Sequence, residues 1–119
     1  MPTTGPKPIV AVIPGDDAAA EAMDASLAVL RSLDAAVDWQ VLPDGVALGR
    51  LALDEREQLV HEAIDRSDTV LFGSTNGTTP GVAYMRWVKR TFANVRPIRW
   101  REGFASPLRR PEGDRKSVV

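Results

Sequence analysis

Residues 8–15, PIVAVIPG, are the stretch that decides the fold: an apolar, β-branched run that stops at a Pro-Gly pair. Such a run is typical of a buried strand, and the Pro-Gly pair marks the turn that closes it. Asp16 and Asp17 come next, and both are good N-caps for a helix over residues 18–33. We expect this helix to bury one apolar face, made of Ala22, Ala25, Val29 and Leu33, with Leu30 beside it.

A second strand and a second helix repeat this arrangement. Residues 37–42 predict a strand that is closed by the turn Pro43-Asp44-Gly45. A helix is predicted from Asp54, because Asp54 and Glu57 have the spacing of a capping box. Its expected buried face consists of Leu59, Val60, Ala63 and Ile64.

Residues 68–73 predict a third strand, which is followed by a loop of turn-forming and hydroxyl residues at Ser74–Thr79. Pro80 suits the first position of a third helix, with the last threonine of the loop as its cap. Residues 94–100 predict a fourth strand, which the proline at position 97 places at an edge or a bulge. The third helix is expected to have a core stripe of Met85, Val88 and Phe92.

Strands that alternate with helices over connections this short imply parallel pairing with right-handed crossovers. The fold class is therefore α/β, with a parallel-type sheet and alternating helices. After Trp100 the pattern fades into Gly, Pro and Arg. We accordingly predict an N-terminal α/β portion over residues 1–100 and an irregular basic tail over residues 101–119.

Length and composition narrow the class of protein. The 119 residues, 44% of them hydrophobic and 26% charged, are typical of one ordinary globular domain. The absence of cysteine excludes disulfides and thiolate metal sites, and we expect the single histidine, His61, to be a solvated or partly packed surface residue. No apolar run approaches the ~20 residues of a membrane span and no signal-peptide pattern is present, so we expect a cytoplasmic protein with no membrane partner.

The net charge of -1 hides a division along the chain. Residues 1–79 carry 5 basic and 13 acidic side chains, whereas residues 80–119 carry 10 basic and 3 acidic ones. This asymmetry predicts an anion-binding second half, for which a small acid and a nucleic acid are open alternatives. Trp39, Trp87 and Trp100 fit base stacking, although core or rim packing explains them more simply.

The loop Ser74–Thr79 is a candidate site, because ligands of parallel α/β sheets bind beyond the carboxyl ends of the strands. Free N–H groups where this loop enters the helix, with the hydroxyls of Thr78 and Thr79, are suited to hold a carboxylate or phosphate. Arg86 follows on the helix and Arg96 on the next strand, and guanidinium groups pair bidentately with carboxylates. The alternative is that this row of Arg and Lys is only a solvated face and the loop only a capped turn.

Residues 85–97, MRWVKRTFANVRP, closely resemble a signature of the isocitrate/isopropylmalate dehydrogenase family. In that signature an Arg on a helix is followed, ten positions later, by the Arg of an aromatic-x-Asn-x-Arg-Pro strand, as Arg86 and Arg96 are here. Three shorter segments are similar to the family as well: IPGD at 13–16 with Glu21, VLFG at 70–73 and SPL at 106–108.

The resemblance implies an incomplete isopropylmalate dehydrogenase-like fold, with the match ending near residue 113. Members of the family are homodimers that oxidise a 2-hydroxy acid with NAD or NADP and decarboxylate it with Mg²⁺ or Mn²⁺. Their substrates include isocitrate, 3-isopropylmalate and tartrate-like acids. By resemblance, Arg86 and Arg96 bind the substrate carboxylates, and Thr78, Thr79 and Ala18 line a substrate or cofactor pocket.

Two departures from the family pattern stand out. Residues 15–21 read GDDAAAE where the family has GDGIGPE, so Asp17 and Ala19 replace glycines and Ala20 replaces a proline. Because glycine permits positive φ and close backbone approach, we expect an altered turn beside the cofactor. The family's catalytic Tyr and Lys and its metal-binding aspartates have no match, so we assign no catalytic residue and no metal ligand.

The sequence therefore predicts a truncated or fragmentary family member, with an unrelated tail after a frameshift as one possibility, that is inactive on its own. The alternative is a non-catalytic carboxylate-binding or regulatory subunit that docks on a full-length homologue. A nucleic-acid module built on the basic second half is a third and weaker interpretation.

Overall fold

The structure is a computed structural model, and it describes residues 5–91, together with residues 98–99, 103, 105 and 115–116. The chain alternates strands and helices, as the sequence predicts. In chain order the elements are β1 (Ile9–Ile13), α1 (Ala18–Ser32), β2 (Asp38–Val41), α2 (Gly45–Leu48), α3 (Leu53–Arg66), β3 (Thr69–Phe72), a π-helical segment (Tyr84–Val88), β4 (Ile98–Arg99) and β5 (Arg115–Lys116).

The first three strands form a parallel sheet in the order β2-β1-β3. Val10 of the central strand lies beside Trp39 on one side and Thr69 on the other. Strand β1 is buried along almost its whole length, as expected for an apolar run that has a neighbour on each edge and helices packed on the sheet. The predicted α/β class with parallel pairing is confirmed.

Apolar clusters lie on both faces of this sheet, because successive side chains of β1 point to opposite faces. Ala11 and Ile13 pack with Val60 and Ile64 of α3 in one cluster. In the other cluster Val10 and Val12 pack with Met23 and Leu27 of α1, and Trp39 lies against them. The two long helices therefore cover opposite faces of the sheet.

The predicted buried face of α1 is wrong. Met23 and Leu27 are its buried residues, whereas Val29 and Leu33 are 62% and 67% exposed. The long side chains of Met23 and Leu27 remove more apolar surface from water than an alanine-rich face would, and this decides the rotation of the helix.

Helix α3 begins earlier than predicted, at Leu53, and its capping contact differs. Glu55 rather than Glu57 reaches back, and its Oε2 accepts a hydrogen bond from the backbone N–H of Ala52 at 3.1 Å. The predicted face is confirmed at Val60 and Ile64, which are buried. The predicted turn at Pro43-Asp44-Gly45 also starts α2, where Asp44 Oδ1 accepts a hydrogen bond from the Ala47 N–H at 2.8 Å.

The third helix is shorter than predicted and does not begin at Pro80. Residues Tyr84–Val88 form a single π-helical segment, and the chain leaves it through Arg90, whose φ is +53°. Met85 packs against the α3 side of the core as expected, but Val88 is 60% exposed. Phe92 lies outside the described residues.

Strand β4 pairs antiparallel with β5, and its described residues are not part of the parallel sheet. Ile98 lies beside Lys116, so a strand is present in the segment predicted to be an irregular tail. The predicted boundary at residue 100 remains a prediction. Over the residues that the structure describes, every helix falls short of the length and apolar character needed to cross a bilayer.

Candidate functional site

Two turns meet at one edge of the parallel sheet. The turn Pro14–Asp17 follows β1, and the hydroxyl loop, Ser74–Thr79, follows β3. Because β1 and β3 are parallel neighbours, their carboxyl ends lie side by side. The backbone N–H of Asp16 donates to the carbonyl oxygen of Ser74 at 2.9 Å, so the two turns are joined directly.

Glycine is required at this junction because the backbones approach closely. A Cβ on Gly73 would overlap the carbonyl oxygen of Pro14. A Cβ on Gly15 would overlap the carbonyl oxygen of Ser74, and Gly15 also has a positive φ of +89°. Any larger residue at either position would push the two turns apart.

The carboxylate of Asp16 is the centre of the junction, and the residue is only 6% exposed. Its Oδ2 accepts hydrogen bonds from Thr75 Oγ1 at 2.7 Å and from the Asn76 N–H at 2.9 Å. The N–H groups of Thr78 and Thr79 also donate to Oδ2, each at 3.2 Å. The hydroxyl of Thr79 donates to the other oxygen, Oδ1.

These donors keep the carboxylate ionised. Burial of Asp16 by itself raises the pKa of its carboxyl group, but hydrogen bonds from Thr79, Thr75 and Asn76 outweigh burial and lower that pKa from 3.8 to about 2. At neutral pH the hydroxyl loop therefore encloses a full negative charge that belongs to the protein itself.

The prediction that free N–H groups at this loop bind an external anion is wrong for Thr78 and Thr79. The N–H groups of Thr78 and Thr79 donate to Asp16, and Thr79 does not cap a helix with its side chain. The hydroxyl of Thr78 donates to Asn76 Oδ1 at 3.0 Å. The sequence carried a signal for this arrangement, since Asp16 and a hydroxyl-rich loop both follow predicted strands at the same sheet edge.

Two clefts flank the junction. The first cleft, of about 540 Å³, lies between α3 and the chain from Thr75 to Val88, and Thr78 and Thr79 form part of its wall. The second cleft, of about 420 Å³, lies between the start of α1 and the hydroxyl loop, and Ala18 lines it. Thr75 lines both clefts, so the predicted pocket residues lie in two adjacent depressions that share a wall.

The two predicted arginines are not both described. Arg86 is exposed on the π-helical segment, and among the described residues it lines neither cleft. Arg96 lies outside the described residues. Lys89, near the end of the π-helical segment, is exposed and makes an ion pair with Asp65, with 3.0 Å between Nζ and Oδ1.

An aromatic pair that the sequence did not indicate stands in the wall of the first cleft. The rings of His61 and Tyr84 are stacked, with centroids 3.9 Å apart and an interplanar angle of 15°. The hydroxyl of Tyr84 donates to Asp65 at 2.8 Å, and this bond raises the pKa of Tyr84. Hydrogen bonds from Lys89 and then Tyr84 lower the pKa of Asp65. The prediction that His61 is partly packed is confirmed, and Trp87, 78% exposed, lies at the rim of the cleft.

Asp17 occupies the N-cap position of α1 with an unusual backbone. Its φ of +52° and ψ of -131° lie in a region that residues with a Cβ rarely adopt, and its side chain makes no capping hydrogen bond. Its Oδ2 instead accepts a hydrogen bond from Asn76 Nδ2 at 3.0 Å. Residue 17 thus has a backbone conformation that suits glycine, and the expected alteration of the turn stays a prediction.

A divalent metal such as Mg²⁺ or Mn²⁺ requires several ligands that are placed together. Within that part of the chain, no group of three or more His, Asp or Glu side chains is placed to hold a metal ion. Mg²⁺ and Mn²⁺ need several oxygen ligands, so the described residues do not fit a metal site, and we derive no step through a metal from them.

The sequence is similar to two curated 3-isopropylmalate dehydrogenases. It is 35% identical over 99 residues to the protein of Archaeoglobus fulgidus, a match that covers 79% of this chain and 29% of the relative. It is 29% identical over 127 aligned positions to the protein of Heyndrickxia coagulans, covering 92% of this chain and 35% of the relative. The chain thus spans about a third of the length of these relatives. No protein-family model matches the sequence. No solved structure matches it either.

Proposed function

The chain belongs to the isocitrate/isopropylmalate dehydrogenase family, and on that premise we propose that it forms the N-terminal α/β part of an NAD- or NADP-dependent enzyme. The proposed reaction is the oxidative decarboxylation of a 2-hydroxy polycarboxylic acid of the isocitrate, 3-isopropylmalate or tartrate type. The observation that carries the proposal is the 35% identity over 99 residues to a protein named 3-isopropylmalate dehydrogenase. We propose a cytoplasmic location and do not expect this chain to turn over substrate alone.

Arg86 and Arg96 are proposed to bind the carboxylates of the substrate. A guanidinium group donates two parallel hydrogen bonds to a carboxylate, which gives both charge and orientation. Arg86 is exposed and makes no ion pair with a described acidic residue, so its guanidinium is accessible to a ligand.

Thr78, Thr79 and Ala18 are proposed to line the substrate or cofactor pocket. Two features support this: the threonines lie in the wall of the first cleft, and Ala18 lies in the second. NAD or NADP would accept the hydride of the 2-hydroxy acid when bound. For Mg²⁺ or Mn²⁺ we propose no ligand among the described residues.

Ligand titration of the chain tests this proposal. We expect 3-isopropylmalate, isocitrate or tartrate to shift the amide resonances of Thr78, Thr79 and Arg86 in NMR spectra. Arg86→Ala should weaken binding about tenfold or more, because a charged bidentate contact is lost. Arg90→Ala is the matched control, since Arg90 is also exposed and basic, and it should change the affinity less than about twofold. Equal losses in both variants would contradict the assignment of Arg86.

A second candidate function is a non-catalytic, carboxylate-binding or regulatory subunit that docks on a full-length homologue. Large exposed apolar side chains beside the first cleft favour it: Trp87 is 78% exposed, Val88 60% and Leu53 59%. An apolar surface of this kind is typical of a protein interface. The two candidates differ in whether the chain forms a stable complex with such a homologue.

A further inference from the structure

Asp16 lies in the turn after β1, but its side chain makes its hydrogen bonds to the hydroxyl loop that follows β3. Within the described residues, its carboxylate accepts five hydrogen bonds, all from Thr75, Asn76, Thr78 and Thr79. Three of the donors are backbone N–H groups, and these fix the path of the chain rather than only the side-chain rotamers. The loop residues that form the wall of the first cleft are thus held by a side chain from outside that cleft.

Few other contacts among the described residues hold the hydroxyl loop in this conformation. Gly77 has a φ of +112° and no atom within contact distance of where a Cβ would lie, so the tip of the loop is open to solvent. Most of the remaining side-chain hydrogen bonds of the loop are local, such as the one that Asn76 Oδ1 accepts from the Thr78 N–H at 3.1 Å, and one leaves the loop, from Asn76 Nδ2 to Asp17 Oδ2 at 3.0 Å. Without Asp16, the N–H groups of Asn76 and Thr79 would need new partners, and the N–H of Thr78 would keep only its hydrogen bond to Asn76.

We propose that Asp16 is a positioning residue that sets the wall of the first cleft at Thr78 and Thr79 and couples it to the second cleft. Asp16 lines the second cleft and is bonded to the wall of the first, while Thr75 lines both. A ligand that moves the start of α1 therefore also moves Thr78 and Thr79. The identity of the ligands in this inference rests on the proposed function. The contacts of Asp16 with the hydroxyl loop are independent of that function.

Amide hydrogen exchange of the whole chain tests the inference without any ligand. In Asp16→Asn, one acceptor oxygen and the charge are lost, and we expect the amides of Asn76, Thr78 and Thr79 to exchange about tenfold faster or more. Exchange of the core amides of Val12 and Leu71 should rise much less. A merely structural role would raise exchange in the core and the loop alike.

Two further variants complete the test. Asp17→Asn is the matched control, because it removes a carboxylate one residue along that contacts the loop only through the side chain of Asn76. It should leave the three loop amides within about twofold of wild type. If Asp16→Asn does not fold, Thr75→Val removes one donor to the same carboxylate and should give a smaller change at Thr78 and Thr79. Unchanged loop exchange in a folded Asp16→Asn or Thr75→Val chain would overturn the inference.

Titration with 3-isopropylmalate separates this inference from the proposed function. If the wild-type chain binds the acid, Asp16→Asn should weaken binding about tenfold, whereas Asp24→Asn, at an exposed position of α1 that lines neither cleft, should stay within about twofold. If the wild-type chain binds none of the tested acids but the loop amides still depend on Asp16, the proposed function fails and the positioning role stands. Binding that is equally tight in Asp16→Asn and wild type would overturn the positioning role alone.

Discussion

At the scale of single residues, Asp17 combines a side chain with a backbone that suits glycine. Its φ of +52° with ψ of -131° is strained, and such conformations cost of order 1–3 kcal/mol. The hydrogen bond that Asp17 accepts from Asn76 is exposed and offsets only part of that cost. The family resemblance, in which glycine stands at this position, agrees with the strain.

We therefore expect Asp17→Gly to stabilise the fold by about 1 kcal/mol, because glycine relieves the strain at a modest entropic cost in the unfolded chain. Urea unfolding measures the difference. Asp24→Gly, the same change at an exposed position inside α1, is the control and should destabilise by about 1 kcal/mol. If both variants lose stability to the same extent, residue 17 is not strained.

Asp16 gives a second prediction at this scale, on the pH dependence of stability. The pKa of its carboxyl group is about 2 in the folded chain, below the ordinary value of 3.8. A depressed folded pKa means that the unfolded state binds more protons in this range, so stability rises with pH. Asp16 contributes its full stabilisation above about pH 4 and loses it progressively as pH falls toward 2, a change of about 2 kcal/mol.

Urea unfolding of wild type and Asp16→Asn at several pH values measures this contribution. The difference in free energy of unfolding between the two proteins should be largest above about pH 4 and should shrink toward pH 2. A constant difference across the window would mean that Asp16 is not held ionised by the loop.

At the scale of helices and strands, the sequence was sufficient to predict an element where the burial of its apolar side chains favours one arrangement clearly. Strand β1 was predictable because its five apolar residues are mostly β-branched and are followed by a Pro-Gly pair, a combination typical of a buried strand. Val60 and Ile64 of α3 were predictable because residues four positions apart lie on one face of a helix. The face of α1 was predicted wrongly because half of the predicted face is alanine, whereas Met23 and Leu27 carry longer apolar side chains that pack with Val10 and Val12 of β1.

The position of the candidate site could be predicted from the sequence, but the hydrogen bonds within the site could not. Parallel strands bring their carboxyl ends together, which located the hydroxyl loop and the turn at Asp16 at one edge. That the loop donors would be taken by Asp16 depends on the pairing of β1 with β3 and on glycines at positions 15 and 73. The stacking of His61 on Tyr84 could not be predicted from the sequence either, because it depends on where the π-helical segment lies against α3.

At the scale of the whole molecule, the described sheet is narrow and leaves apolar surface uncovered. Strands β2 and β3 each pair only with β1 in the described part of the chain, so each presents one edge without a partner there. The chain matches about a third of the length of its relatives. A strand edge without a partner favours pairing with another chain.

The second candidate function accordingly makes a prediction about assembly. Mixed with a full-length 3-isopropylmalate dehydrogenase, the chain should co-elute with it in size-exclusion chromatography, with Trp87 in the contact because it is the most exposed large apolar side chain at the cleft rim. Trp87→Ser should weaken the complex about tenfold or more, as loss of an aromatic anchor does. Val46→Ser, at an exposed apolar position on α2 that lines neither cleft, should change the affinity less than about twofold. If the chain and the full-length dehydrogenase elute separately at micromolar concentrations, the chain does not dock on such a homologue. Any carboxylate binding is then a property of the chain alone.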